Sequence, residues 1–415
     1  MTTTDIPKKI DFGPETEDDV QHFVEHAFSA DFVFRAPQRL DRGKEHETTD
    51  VFALFDDIAL AIEVKSQAYN SDGSPRVEDQ RWTRKNLAKA VSQLKGAVRT
   101  IKAGQIVRLE NARRGAVQFS TDMFRYVYAL AVLNHVAAPF DAAELVPEIA
   151  DFSVPLHLLS FVDFYNIARV LDTPSDLIGY LEVRSQILIP TFNPRVHEEQ
   201  PAFEFYLDHF EELTSFHAEL HGDKRSPEGF KEHAEMLRRI YRGEKVDIDA
   251  SYFNDKIIDR SHETDASSPA PFENAERDYV IVATHLARLP RSRRAYIGKA
   301  FLDAIKRADE TNEDEFAHFS SQLRDECLLF IASHRRDEQR KERNEDLFRY
   351  LWFLKATRQV KVAMGIVTQA GFGKGRSFDF IILDGDSKDD MSRPDYDEIK
   401  RMGDDFFGTV ILRSA

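Results

Sequence analysis

The sequence predicts a mixed α/β protein. A central sheet flanked by helices occupies residues 1–190, a mostly helical region follows, and a small C-terminal region contains a β-hairpin. Three observations predict it. A ribbon of β-formers from Val51 to Val64 is apolar on both faces, as buried sheet strands are. Apolar runs and helical periods then alternate up to Arg184. From Phe203 helical spacing dominates until about residue 356.

The first helix spans Glu17 to Phe28. Its stripe is Val20, Phe23, Val24, Ala27 and Phe28, and Thr16 precedes it as an N-cap. Val51–Phe55 and Ile58–Val64 flank Asp56-Asp57, which reads as a hairpin tip. Pairing centred on that tip sets Asp50 opposite Glu63, and the two-residue period puts Lys65 on the same face as Glu63. A helix from Arg84 to Lys102 packs through Leu87, Val91, Leu94, Val98 and Ile101. Met123–Leu133 and Val154–Phe161 are buried strands. Val162–Leu171 and Ser175–Arg184 are helices, the second opened by Thr173-Pro174. Ile189 to Gln200, with Pro190 and Pro194, marks a boundary, so the predicted domains are 1–190, 201–356 and 357–415.

Beyond that boundary Phe203–Leu220, Glu228–Tyr241 and Asp278–Leu289 have helical spacing, with a Ser/Pro/Ala-rich linker over Ser267–Pro271. Arg335–Asp346 alternates charge like a solvated helix and leads into the apolar Leu347–Leu354. Val360–Thr368 and Ser377–Leu383 flank Gly371–Arg376. That segment lacks the Lys-Ser/Thr ending of a phosphate loop and reads as a hairpin.

The chemistry concentrates at the open end of the first hairpin. Two directly opposed carboxylates stand with Cβ atoms about 5 Å apart and repel. A cation relieves that repulsion: Lys65 alone, or a hard divalent ion such as Mg²⁺, to which carboxylate oxygens are suited. Solvated polar strand ends are the plainer reading, but the flanking Ala59-Leu60-Ala61-Ile62 favours a buried strand whose terminal charges need partners.

Asp50, then about a dozen residues, then Glu63-Val64-Lys65 at the end of a buried strand resembles the PD-(D/E)xK nuclease superfamily, in its Mrr-like and nuclease-related-domain branch. The resemblance covers about the first 190 residues. It implies a restriction-endonuclease-like fold, Mg²⁺ or Mn²⁺ as cofactor, Asp50 and Glu63 as metal ligands and Lys65 as the catalytic lysine. Thr49 stands where the motif's proline would be. Such proteins often add a glutamate from the preceding helix. Glu17 falls inside the buried arc and Glu25 about 60° outside it, which favours Glu17. A first-turn glutamate complementing the helix dipole is the other reading of Glu17.

The chain carries a net charge of −16, yet Arg76 to Arg114 is rich in base. Arg84, Lys85 and Lys89 there are candidates for holding a nucleic-acid backbone beside the acidic site; a solvated helix face is the alternative. Trp82 reads as a packing anchor, and Gln93 lies opposite the apolar stripe. A second basic stretch, Arg288 to Arg307, either extends that path or pairs with the protein's own acids. Cys327 is the lone cysteine, which excludes intramolecular disulfides and Cys-based zinc sites. No histidine pair has metal-ligand spacing, and His262 reads as a loop residue. With no signal-peptide core and no membrane-length apolar run, a cytoplasmic protein with no membrane partner is expected.

These readings lead to an Mg-dependent endonuclease hydrolysing phosphodiester bonds, with DNA as the expected nucleic acid. Its C-terminal half would serve homo-oligomerisation or a partner protein, and the resemblance implies a restriction or anti-phage role. The competing class is a nucleic-acid-binding or assembly protein whose nuclease-like domain is inactive or awaits a partner.

Overall fold

The computed structural model describes residues 13–66, 80–111, 113–134, 136, 138–220, 228–260, 275–321, 325–370 and 377–384. They form two compact units. The first runs to Val246 and takes in Ala287–Arg291; the second comprises Asp247–Leu286 and everything from Ser292.

In the first unit, α1 (Gly13–Phe28) precedes β1 (Val33–Arg35), β2 (Gln38–Asp41), β3 (Lys44–Glu47), β4 (Val51–Phe55) and β5 (Ile58–Lys65). Then come α2 (Gln80–Lys102), β6 (Ile106–Asn111), β7 (Gly115–Val117), β8 (Tyr126–Leu133), α3 (Val146–Ile149) and β9 (Leu156–Ser160). The helices α4 (Phe161–Val170), α5 (Pro174–Val183), α6 (Ile189–Phe192), α7 (Gln200–Asp208), α8 (Phe210–Leu220) and α9 (Glu228–Tyr241) complete it. The main sheet has the order β1-β4-β5-β8-β9. Its first three strands are antiparallel, and β5, β8 and β9 run parallel. A smaller antiparallel sheet has the order β3-β2-β6-β7.

The two faces of the main sheet are covered for different reasons. Ala59, Ala61, Ala129 and Ala131 offer a shallow surface, and α2 lays Leu87, Val91, Leu94 and Val98 onto it, all fully or almost fully buried. Each such side chain contributes about 1.5–3 kcal/mol by leaving water. On the other face α1 packs edge-on through Phe28 against Phe55, with ring centroids 6.0 Å apart. The α2 segment of the basic stretch thus has one buried stripe and one exposed charged face, as its period requires.

The second unit holds α10 (Ser251–Arg260), α11 (Ala275–Ala287) and α12 (Arg291–Thr311) but for their end residues Ala287 and Arg291, then β10 (Glu315–Ser321), β11 (Glu326–Ser333), α13 (Arg340–Arg358), β12 (Val362–Gln369) and β13 (Phe378–Leu383). The strands form one sheet in the order β10-β11-β12-β13, in which only β11 and β12 are parallel. Leu347, Leu351 and Leu354 of α13 cover one face, over Leu329 and Ile331. Phe301 of α12 stacks on Phe330 at 4.0 Å on the other. Gly298 lets α12 approach the carbonyl of Ala250, since a Cβ there would lie 1.9 Å from that oxygen.

Several expectations change on the structure. Residues 315–333, expected within a helical region, are two strands of a four-stranded sheet: the run Cys327 to Ala332 is too short for its period to distinguish strand from helix. The segment 189–200 lies inside the first unit, because Glu199 is buried and clamps the buried Arg184 from both sides of its carboxylate, at 2.6 and 2.8 Å. Thr16 is not an N-cap. α1 starts at Gly13, and the Thr16 hydroxyl accepts a hydrogen bond from the Asn134 amide at 2.8 Å. Arg335–Asp346 is not wholly solvated, since Arg343 is buried against Asp379 and Ser377. β12 and β13 pair antiparallel as a hairpin would, while Gly371–Arg376 itself lies outside the described residues. Arg76, His262 and Ser267–Pro271 also lie outside them.

Candidate active site at the end of the β4–β5 ribbon

The β4–β5 ladder pairs Val51 with Ile62 and Phe55 with Ile58 around the turn at Asp56-Asp57. Continuing it by one step brings Asp50 to Glu63, the register read from the sequence. Asp56 adopts φ 57°, the left-handed conformation that a tight two-residue turn demands. Across the open end the Thr49 hydroxyl donates to the Ile62 carbonyl at 2.7 Å, so the residue in the proline position tethers the ribbon. The Val64 N–H donates to Asp50 Oδ2 at 2.6 Å, which fixes the first carboxylate over the second strand.

Lys65 closes the arrangement. Its Nζ lies 2.8 Å from Glu63 Oε2, 2.9 Å from the Val64 carbonyl oxygen and 3.5 Å from Asp50 Oδ2. Glu63 is 2% exposed, and the Asp50 and Lys65 side chains are 14% and 13% exposed. Three oxygens therefore surround one cation at the carboxyl end of parallel β5, the edge of an α/β sheet where ligand crevices form.

Burial and then the neighbouring Asp50 charge push the Glu63 carboxyl up to about 8, against the pull of Lys65. Burial works to lower the Lys65 ammonium, but the charges of Glu63 and Asp50 outweigh it and hold the group above its ordinary value. The lysine stays charged, and the carboxylate beneath it is the group poised to exchange a proton near neutrality.

Glu17 comes to the same edge. The Asn134–Thr16 hydrogen bond docks the first turns of α1 onto the residue that follows β8. Burial and the Asp50 charge raise the Glu17 carboxyl, while Arg35, 3.5 Å away, and Lys65 oppose the shift. Glu25 instead accepts a hydrogen bond from Gln21 at 2.7 Å. Two further residues join the site without having been anticipated. Glu47 at the end of β3 is raised by burial and by the charges of Asp50 and Glu17, and Arg35 at the end of β1 pairs with Glu17. The pairing of β1 with β4, across the intervening β2–β3 hairpin, brings Arg35 there. The nearest hint in the sequence is Glu47 three residues before Asp50.

The basic candidates separate. Arg84 reaches the Glu144 carbonyl and the Glu148 carboxylate, both at 3.4 Å. Those acids follow the end of β8, so the start of α2 lies at the same sheet edge as the site. Lys85 and Lys89 are exposed on α2 and make no ion pair among the described residues; Gln93 is exposed too. Trp82 is half-buried against the core. In the second basic stretch Arg291 is buried against Asp172 at 2.9 Å, Arg294 meets Asp255 at 2.7 Å and Arg307 meets Glu315 at 2.8 Å. Those three pair with the protein's own acids.

Among the described residues no three Asp, Glu, His or Cys side chains converge as a closed metal cage. No helix of the described residues is long and apolar enough to cross a membrane. No protein-family model matches the chain, and neither a curated protein nor a solved structure matches it.

Proposed function

We propose that the chain is a metal-dependent phosphodiester hydrolase, a nuclease acting on DNA, built on a restriction-endonuclease-like core. One observation carries this reading: Asp50 Oδ2, Glu63 Oε2 and the Val64 carbonyl surround a single cationic atom at the end of a buried strand. All three are hard oxygens, and the ammonium among them stands in for a cation, so the donor set fits Mg²⁺ or Mn²⁺ with water completing the shell. Asp50 and Glu63 would hold the ion, which would polarise a phosphoryl oxygen and acidify a water.

The remaining work falls to the chain. Lys65, kept protonated by its two acids, stabilises charge developing on the phosphoryl group and does not itself take a proton. Glu17 and Glu47 enlarge the negative field that draws a cation, and Arg35 limits their mutual repulsion. Lys85 and Lys89 supply an exposed basic face for a phosphate backbone, a need sharpened by the overall charge of −16. A restriction or anti-phage role and a C-terminal partner surface accompany this reading through the resemblance alone.

Incubation with plasmid, single-stranded DNA and RNA, with and without Mg²⁺ or Mn²⁺, tests it. Metal-dependent cleavage that Asp50→Ala and Glu63→Ala each abolish is the expected result. Cleavage by both variants at the wild-type rate removes the site. The second reading, a nuclease-like binding or assembly protein awaiting a partner, is favoured by the ammonium already filling the cation position. It gains ground if nucleic acid is bound and none is cut.

A further inference from the structure

We infer that the second unit contains a second copy of the first unit's core, and that its matching edge, Asp314-Ser333-Arg335, is a degenerate counterpart of Asp50-Glu63-Lys65. In the first unit a helix, an antiparallel hairpin, a helix on the opposite face and a strand parallel to the hairpin's second strand follow in order: α1, β4–β5, α2, β8. In the second unit α12, β10–β11, α13 and β12 repeat that order with the same strand directions.

Register makes the match residue-specific. Val51 pairs with Ile62 and Glu315 with Ala332, so one further step sets Asp50 against Glu63 and Asp314 against Ser333. Two backbone landmarks coincide as well. Asp50 accepts from the N–H of Val64, and Asp314 accepts from that of His334 at 2.9 Å, in each case the residue after the opposed position. The Asp57 carbonyl, just before β5, takes the N–H groups of Arg125 and Tyr126, and the Asp325 carbonyl, just before β11, takes those of Lys361 and Val362.

The faces agree too. Phe52, Ala59 and Ala61 lie under α2, which puts Asp50, Glu63 and Lys65 on that side; Phe316, Leu329 and Ile331 lie under α13, which puts Asp314, Ser333 and Arg335 on that side. The sequence keeps a trace of the repeat. Asp50-Val-Phe-Ala-Leu-Phe and Asp314-Glu-Phe-Ala-His-Phe share Asp, Phe, Ala and Phe in the same places.

The second edge has kept one acid and lost the other. The Ser333 hydroxyl donates to Asp314 at 2.8 Å, His334 Nδ1 lies 2.6 Å from the same oxygen, and Arg335 turns to Asp346. A single carboxylate already engaged by three donors is a poor hard-cation site. Of these two edges among the described residues, one therefore keeps the donor set of such a centre and the other does not. This last consequence rests on the function proposed above; the repeat itself does not.

Mn²⁺ alone is the probe, counted per full-length chain by electron paramagnetic resonance. In a Glu63→Ala background, Ser333→Glu with Arg335→Lys is expected to add about one bound Mn²⁺ per chain, and Asp314→Ala is expected to remove it again. No gain in a variant that melts like its background, or a gain that survives Asp314→Ala, overturns the inference. Should the glutamate prevent folding, Ser333→Asp with Arg335→Lys repeats the test with a shorter acid. A crystal structure of the wild-type chain decides independently: the two hairpins with their following helix and strand should superpose with Asp314 on Asp50 and Ser333 on Glu63. A register off by one residue overturns the repeat. Wild type against Glu63→Ala reads the first edge separately, so the nuclease reading can fail while the repeat stands.

Discussion

Glu63→Gln removes a titration from the interior of the first unit, and its effect follows from the geometry. The Glu63 carboxyl is buried beside Asp50 and releases its proton near pH 8 in the fold, against 4.5 for its ordinary value. Between those values the native state holds a proton that the unfolded chain has already lost, so native stability falls as pH rises through that window. The interval from 4.5 to about 8, at about 1.4 kcal/mol per pH unit, sets a ceiling of about 5 kcal/mol. Glutamine keeps the shape and has no proton to lose. The variant should therefore gain about 3–5 kcal/mol on wild type between about pH 5 and about pH 9 in the absence of metal. Urea unfolding in EDTA measures it, with Trp82 fluorescence reporting the first unit in a Trp352→Phe background that leaves a single tryptophan. A difference constant to within about 0.5 kcal/mol across that range would show that Glu63 does not titrate there and refute the reasoning.

The same proton competes with metal, so Mn²⁺ affinity should rise about tenfold per pH unit up to about pH 8 and level off above it; titration calorimetry showing a flat profile contradicts this. Lys65→Ala should slow cleavage about a hundredfold while Mn²⁺ binding is kept or tightened, because the ammonium no longer fills the cation position. Equal loss of binding and rate would make Lys65 structural. Charge reversal at Lys85 and Lys89 should weaken nucleic-acid binding for every sequence and flatten its salt dependence by about one unit of slope for each phosphate no longer neutralised. Arg84→Glu should add less, since Arg84 is engaged with Glu144 and Glu148. Unchanged slopes with an altered oligomer would favour the assembly reading.

What was legible in the sequence was local. The β4–β5 register follows from two β-runs and a two-residue tip, and the α2 stripe follows from its period. Asp50, Glu63 and Lys65 came together because one ribbon carries all three. Arg35 did not, because it reaches the site through the pairing of β1 with β4 across the intervening β2–β3 hairpin, which no short-range pattern encodes; Glu47 stands three residues before Asp50, and only its coupling to the Asp50 and Glu17 charges marks it. The β10–β11 hairpin escaped for another reason. Its two strands are four residues apart in the sequence, with no Gly, Pro or Asn between them, and its second strand is a short apolar run, so neither turn chemistry nor period marked it. Buried charge defeated composition at Arg291 and Arg343. The basic stretch left Arg291 open between a nucleic-acid path and the protein's own acids, and alternating charge made Arg343 read as solvated; in each case the acid partner lies more than thirty residues away.

The clamp of Glu199 on Arg184, with Tyr180 also donating to that carboxylate, bears on how the protein can be divided. A fragment ending at residue 190 would carry Arg184 into the core without its acid, an uncompensated buried charge of the kind that costs about 3–5 kcal/mol. Ending at Val246 restores Glu199 but still omits Arg291, whose guanidinium fills the space beside Asp172 and returns from beyond the second unit's first helices. The first unit is thus sewn from two separated lengths of chain. The Arg291–Asp172 pair can form only after residue 291 has been synthesised, so that part of the first unit is completed after the second unit's first helices have left the ribosome.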